Sequence, residues 1–305
     1  MEKVGLVLEG GGVRGSFTAG ALAWLLDHNI TFDYSVGISS GALYLTCFEA
    51  GRRDALEEMA CTYAAKPDNV GLHALLTEGH YVASKHLIRE DLYGNLHLDV
   101  SDLIEKDIPM EIGAYDMEKG ETVFYPAREM DPELELIRAA CSLPLAAEVV
   151  NFRGRRLLDG GITKMVPIER ALEMGCTRTL VITTKAKDYV RKPSSLIVRF
   201  LMWLFYHDCP SIEQDYKVRH INYYKQMDLI RQEEEKGRCI LICPSENVAV
   251  SRWKGDPEKC RHLFELGYQD MEKRKEEILA LVHPETLQVP LMKEKEPVYV
   301  KTDCE

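Results

Sequence analysis

The pentapeptide Gly37-Ile38-Ser39-Ser40-Gly41 stands between a short apolar run, Phe32 to Val36, and an apolar helical stretch, Ala42 to Ala50, that Gly51 ends. A serine between two glycines at a strand-to-helix turn is the arrangement of a nucleophile elbow. The sharp turn forces unusual backbone angles on the serine, and its neighbours must be tiny so that strand and helix can close on each other. Ser39 would sit at a helix N-terminus, where the dipole favours negative charge on its oxygen. The plainer alternative is a tight turn with a capping serine.

The same plan opens the chain. Val4 to Leu8 is a buried-type apolar run. The loop Gly10-Gly11-Gly12-Val13-Arg14-Gly15 follows, and Ser16 to Asp27 carries Phe17, Ala21, Trp24 and Leu25 at helical spacing. Further helices are predicted over 54–65, 84–92, 132–140, 167–174, 212–236 (a long polar one) and 257–282. Strand hairpins are predicted over 110–125 and 149–158, and single strands over 179–184 and 239–243. Strands alternating with helices argue for an α/β fold, a sheet with helices on both faces. A loosely held tail is expected from about residue 284.

Composition limits the function classes. The 305 residues are 46% hydrophobic and 29% charged, an ordinary globular balance for one or two domains. Net charge is -11, which disfavours nucleic acid as a partner, because phosphate neutralisation needs a basic surface. Residues 1–172 hold 16 Lys+Arg against 27 Asp+Glu, while the other 133 hold 22 of each. The nine cysteines show no paired short spacing; Cys239 and Cys243 read as buried thiols, and the usage suggests a reducing, cytoplasmic compartment. No secretory leader is visible and no run reaches the length of a membrane span; the longest, Leu196 to Tyr206, is interrupted by Arg199.

The glycine loop admits two functional readings. Gly10, Gly12 and Gly15 fit a dinucleotide fingerprint, with Asp33 near the place of a ribose-binding acid. Alternatively the loop amides form an oxyanion hole, with Arg14 supporting the loop or simply making a surface ion pair. The second reading is favoured because the serine elbow ends the very next strand, so both loops lie at one edge of a parallel sheet. For a base, His73, His80, His86, His97, His207, His220, His262 and His283 stand in no glycine-flanked or strand-end setting. Asp159, in Leu157-Leu158-Asp159-Gly160-Gly161, closes an apolar strand before two glycines that permit close approach. A shielded carboxylate there, with a raised pKa, can accept the serine proton directly; a turn aspartate capping the bend is the alternative.

These three segments, in this order, resemble the patatin-like phospholipase family, as do Glu111 to Tyr125, Ala140-Cys141-Ser142-Leu143-Pro144 and Val166-Pro167. Cys141 is a small departure from that block. The resemblance covers about residues 5–172 and implies a flattened three-layer α/β/α fold with a mostly parallel central sheet. It divides the chain into a catalytic domain, 1–185, and a C-terminal helical extension with one sheet strand, 186–305. It also implies lipid acyl-ester hydrolysis, of phospholipid or lysophospholipid, by a Ser39–Asp159 dyad without histidine, metal or cofactor. Amides of Gly11, Gly12 and Val13 would hold the oxyanion. An acyltransferase or thioesterase could use the same dyad, and a nucleotide-binding module built on Gly10 to Gly15 is the competitor from another class.

Outside these segments, Lys185, Lys187, Arg191 and Lys192 precede the aromatic-rich apolar run 196–206. A buried helix between the sheet and the extension is the plainer expectation. The alternative is peripheral contact of 185–206 with an anionic membrane, at the inner surface if the protein is cytoplasmic.

Overall fold

Alternate side chains of each central strand go to opposite faces of one sheet. Leu6 and Leu8 enter a core on one side and Val7 a core on the other, which is why these strands read as continuous apolar runs. The computed structural model describes residues 2–250 and 256–282; the expected tail from about 284 lies outside the described residues.

The elements run β1 (Val4–Leu8), α1 (Ser16–Asp27), β2 (Tyr34–Ile38), α2 (Ser40–Glu49), α3 (Arg53–Glu58), α4 (Leu72–Glu78), α5 (Ser101–Glu105), β3 (Met110–Asp116), β4 (Glu121–Pro126), α6 (Glu135–Ala140), β5 (Val150–Phe152), β6 (Arg155–Asp159), α7 (Ile168–Glu173), β7 (Arg178–Ile182), α8 (Leu196–Phe205), α9 (Ser211–Glu235), β8 (Cys239–Ile242), α10 (Pro257–Lys273) and α11 (Lys275–Val282). The strand order is β5-β6-β3-β2-β1-β7-β8, with β4 paired to β3. The run from β3 to β8 is parallel, and β4, β5 and β6 add antiparallel pairings. Helices α1, α2, α3, α6 and α10 cover one face through the larger core; α7 and α9 cover the other. This is the expected three-layer α/β/α arrangement.

Several expectations need correction. The second strand starts two residues late, at Tyr34; just before it the Asp33 carboxylate accepts the Val4 amide at 2.7 Å. The helix predicted over 54–65 relaxes into a π-helical turn at Met59–Tyr63, and residues 84–92 give a π-helical segment, His86–Asn95. The helix predicted over 257–282 breaks at Arg274, whose guanidinium donates to the Leu241 carbonyl at 2.7 Å. The largest difference is α8. It is not buried between layers: Leu196, Ile197, Phe200, Trp203, Leu204 and Phe205 are exposed, while Met202 is buried and Val198 packs against the same cluster near the start of α9. A helix apolar everywhere but Arg199 suggests burial in a sequence, but only one side of it finds protein.

Candidate active site

Ser39 turns the chain from β2 into α2 with φ 55° and ψ -129°, a strained combination for a residue with a side chain. The flanking glycines make the turn possible. A methyl group at Gly37 would lie 2.7 Å from the Ala42 nitrogen, and one at Gly41 2.8 Å from the Glu9 carbonyl oxygen. Ile38 points its side chain at Gly113 instead.

Asp159 and Ser39 come to one pocket because of how β3 is shared. β4 pairs along one edge of β3, from Glu111 to Asp116. On the other edge β2 ends with Ile38 opposite Gly113, and β6, running the opposite way, ends with Asp159 opposite Ala114. Consecutive residues of one strand thus hold the ends of two strands that run head-on toward each other. The chain leaves the second by a tight turn. The Asp159 carboxylate accepts the Gly161 amide at 2.7 Å, and the Asp159 amide donates to the Ser142 carbonyl at 2.8 Å. A methyl group at Gly160 would lie 2.6 Å from the Gly113 carbonyl oxygen, so this contact admits only glycine without movement.

The glycine loop packs on the elbow. The Gly10 amide donates to the Met165 carbonyl and the Gly11 amide to Ser40 Oγ at 2.9 Å. Gly12 and Val13 open a short 3-10 turn ending at Gly15, where the first amides have no intrahelical acceptor. Gly15 fits against Ser40 and Tyr44. Asp33 stands at the other end of β1 and β2 from this loop, engaged by Val4, so it does not occupy the ribose-binding place the dinucleotide reading requires.

Gly10, Gly11, Gly12, Arg14, Ser39, Asp159 and Gly161 line one pocket. The C-terminal part adds cations to this pocket that no sequence pattern marks. Lys185, Arg191 and Arg219 line the same pocket. Lys185 and Arg191, expected at a membrane surface, turn inward, whereas Lys187 and Lys192 stay exposed. Lys185 is buried in an ion pair with Glu9, whose carboxylate also accepts the Thr184 amide at 2.7 Å. Burial pulls the Lys185 pKa down to about 8, with Glu9 opposing and Arg191 adding to the shift. Burial alone would raise the Glu9 pKa, but the charge and hydrogen bond of Lys185, the Thr184 amide and the charge of Arg191 together hold it below the usual carboxylate range. Arg219, on α9, donates from Nε to the Gly161 carbonyl at 2.7 Å. No short pattern in the sequence marks that arginine; only its place on a long helix crossing the end of the sheet does.

A second cavity meets the first at Gly12, Ser39 and Leu143. It is mainly apolar, with Val13, Leu43, Met59, Val70, Val82 and Leu87 in its wall. An open groove of ≈ 630 Å³ shares Leu143, Tyr189, Arg191 and Arg219 with the first pocket and runs out past Val198 and Met202 of α8. Ser39 therefore lies between a cationic pocket and an apolar cavity.

A family model described as patatin-like phospholipase matches residues 6–172, more than half of the chain. The chain belongs to the patatin-like phospholipase family. A second model, described as a domain of unknown function (DUF6363), matches residues 209–283 of this patatin-like chain. It is 24% identical over 196 residues to "Uncharacterized protein YjjU" of Escherichia coli (strain K12), covering 60% of this chain and 52% of that protein. The chain thus spans about half the length of that curated relative. Among solved structures, VipD from Legionella pneumophila superposes with a TM-score of 0.43 at 13% identity, over 90% of this chain and 66% of that one. The family model's description names a phospholipase activity for the family.

Proposed function

We propose that the protein is a serine lipid acyl hydrolase in which Ser39 is the nucleophile and Asp159 the general base. The observation that carries this reading is the head-on approach of β2 and β6 on one edge of β3, which brings both residues to one pocket beside the glycine loop. Asp159 takes the hydroxyl proton as Ser39 attacks the ester carbonyl. The tetrahedral oxyanion is met by the amides of Gly12 and Val13, since those of Gly10 and Gly11 already have acceptors. Collapse releases the alcohol, which takes back the proton, and leaves an acyl-Ser39. Asp159 then draws a proton from water, which attacks the acyl group; as the acyl–Ser39 bond breaks, the fatty acid leaves and Asp159 returns that proton to Ser39 Oγ. The apolar cavity beside Ser39 suits the acyl chain.

The protein reaches its substrate from a lipid surface. Among the described residues no helix is long and apolar enough to cross a membrane. Instead α8 offers an exposed apolar face, and the groove beneath it, with exposed Lys192 in its wall, leads to the pocket. That combination fits an anionic bilayer interface.

A fluorophosphonate probe and lipid product analysis test the reaction together. Wild type should take the probe and release fatty acid from mixed phospholipids. Ser39→Ala should lose both, and Asp159→Asn should lose about 10²–10⁴-fold in hydrolysis. Labelling that survives Ser39→Ala refutes the nucleophile assignment.

A further inference from the structure

We propose that Arg14, Arg191 and Arg219 form a phosphate subsite beside Ser39, so that the lipid cleaved carries an anionic phosphate headgroup, and that the C-terminal part of the chain supplies this selectivity. The proposal deepens the acyl-hydrolase reading and rests on it.

The charge balance of the pocket is the first argument. Arg14, Lys185, Arg191 and Arg219 line it, against the carboxylate of Asp159. Glu9 is taken by Lys185. A surplus of positive charge therefore faces the reaction centre in a chain whose net charge is -11. Such a concentration, against the sign of the whole molecule, needs a negative ligand to offset its mutual repulsion.

The second argument is unmet bonding capacity. The Nε atoms of Arg14 and Arg191 are buried and have no hydrogen-bond partner among the described residues. Buried donors are normally satisfied, so such atoms mark the place of a missing acceptor. Arg191 stacks over Tyr223 at 4.6 Å and Arg219 over Tyr216 at 5.3 Å, which fixes both guanidinium planes without neutralising them. Burial, and after it the charge of Arg219, lowers the Arg191 pKa, as expected for cations held close together. An oxyanion with several acceptor oxygens matches planar, multidentate guanidinium donors, and phosphate is the usual one.

The third argument is placement. Ser39 is common to the cationic pocket and the apolar cavity. A glycerophospholipid has the same polarity across its ester, with hydrocarbon on one side and phosphate on the other. Among the described residues the lining has no further carboxylate to receive a choline or ethanolamine cation, so a zwitterionic headgroup gains less than an anionic one. Arg191 and Arg219 both lie beyond residues 6–172, and Arg219 lies inside 209–283, the segment matched only as a domain of unknown function. Its contribution here would be headgroup selection.

The test uses short-chain esters below their micelle concentrations. Dihexanoyl phosphatidate, dihexanoyl phosphatidylcholine and dihexanoylglycerol are compared by kcat/KM in wild type, Arg191→Gln and Arg191→Lys. Wild type should prefer the phosphatidate. Arg191→Gln should lower the phosphatidate-to-dihexanoylglycerol ratio about tenfold, and Arg191→Lys should restore part of it. A ratio unmoved by Arg191→Gln in a folded variant overturns the subsite. A parallel arm measures binding of inorganic phosphate and of glycerol 3-phosphate to Ser39→Ala by calorimetry. Weaker glycerol 3-phosphate binding with Arg191→Gln added supports the subsite even if wild type cleaves none of the esters, a result that would refute only the hydrolase reading. Inorganic phosphate binding that depends on Arg191 without any change in the substrate ratio assigns the cations to free phosphate and overturns headgroup selection.

Discussion

The pair formed by Glu9 and Lys185 shows how the pocket is held at the level of single residues. Glu9 follows β1, one position before the glycine loop, and Lys185 follows β7, so the ion pair ties that loop to the neighbouring strand. Both side chains are buried, and removing one partner leaves an uncompensated charge. Lys185→Met should therefore destabilise the fold by about 3–5 kcal/mol, while Glu9→Gln with Lys185→Met should recover much of it. Urea denaturation checks this, and equal stability of the two variants would show that the pair is not coupled. Lys185 also brings a pH dependence. Its folded pKa, about 8, lies below the ordinary 10.5, so it is charged below about pH 8 and loses its proton as pH rises through that value. The pocket is then less positive. Hydrolysis of an anionic ester should fall relative to an uncharged one between about pH 7 and about pH 9, and parallel profiles for the two esters would contradict it. The elbow and the Asp-Gly-Gly bend were legible at this scale because their sterics impose small residues at fixed offsets. Arg191 and Arg219 were not, because an arginine on a loop or polar helix looks the same whether it faces solvent or a pocket.

Among elements, β3 and the contact between α1 and α10 decide the architecture. The hairpin over 110–125 was readable from its alternation and its glycine turn, but the sharing of one β3 edge by β2 and β6 depends on register, which no single segment encodes. The two helices approach through facing glycines. A methyl group at Gly20 would lie 1.8 Å from the Phe264 carbonyl oxygen, and one at Gly267 2.1 Å from that of Phe17. Alanine improves helix propensity by about 1 kcal/mol, yet backbone atoms cannot yield at these distances without separating the helices. Gly267→Ala should therefore lower stability by about 1–3 kcal/mol despite that gain, read as a shift in urea midpoint. A stabilised variant would show that the helices pack farther apart than they do here. Gly20 and Gly267 fall in the two segments matched by different family models, so this contact joins one to the other.

At the scale of the whole molecule, the C-terminal part is built into the fold rather than appended to it. β8 extends the sheet beside β7, α10 covers α1, and α9 carries Arg219 and Gln226, whose amide oxygen accepts the Met165 and Val166 amides at 3.2 and 3.1 Å. The strand at β8 was plain from its apolar run, whereas the exposure of α8 was hidden, since hydrophobicity on all sides does not say which side protein covers. What remains uncovered there is an argument about partners. Phe200 and Trp203 are 57% and 59% exposed with ring centroids 5.8 Å apart, and both stand on the helix that borders the groove to the pocket. Burying one such ring in a lipid interface is worth about 2 kcal/mol, and one basic residue near an anionic surface about 1 kcal/mol. Phe200→Ala with Trp203→Ala should therefore weaken sedimentation with anionic liposomes by more than tenfold, and Lys192→Glu should weaken it several-fold. Cleavage of the same soluble short-chain ester should persist in both variants, because none of these side chains lines the Ser39 pocket. Liposome binding that is unchanged by both aromatic substitutions and by Lys192→Glu would remove α8 as the surface that meets the bilayer.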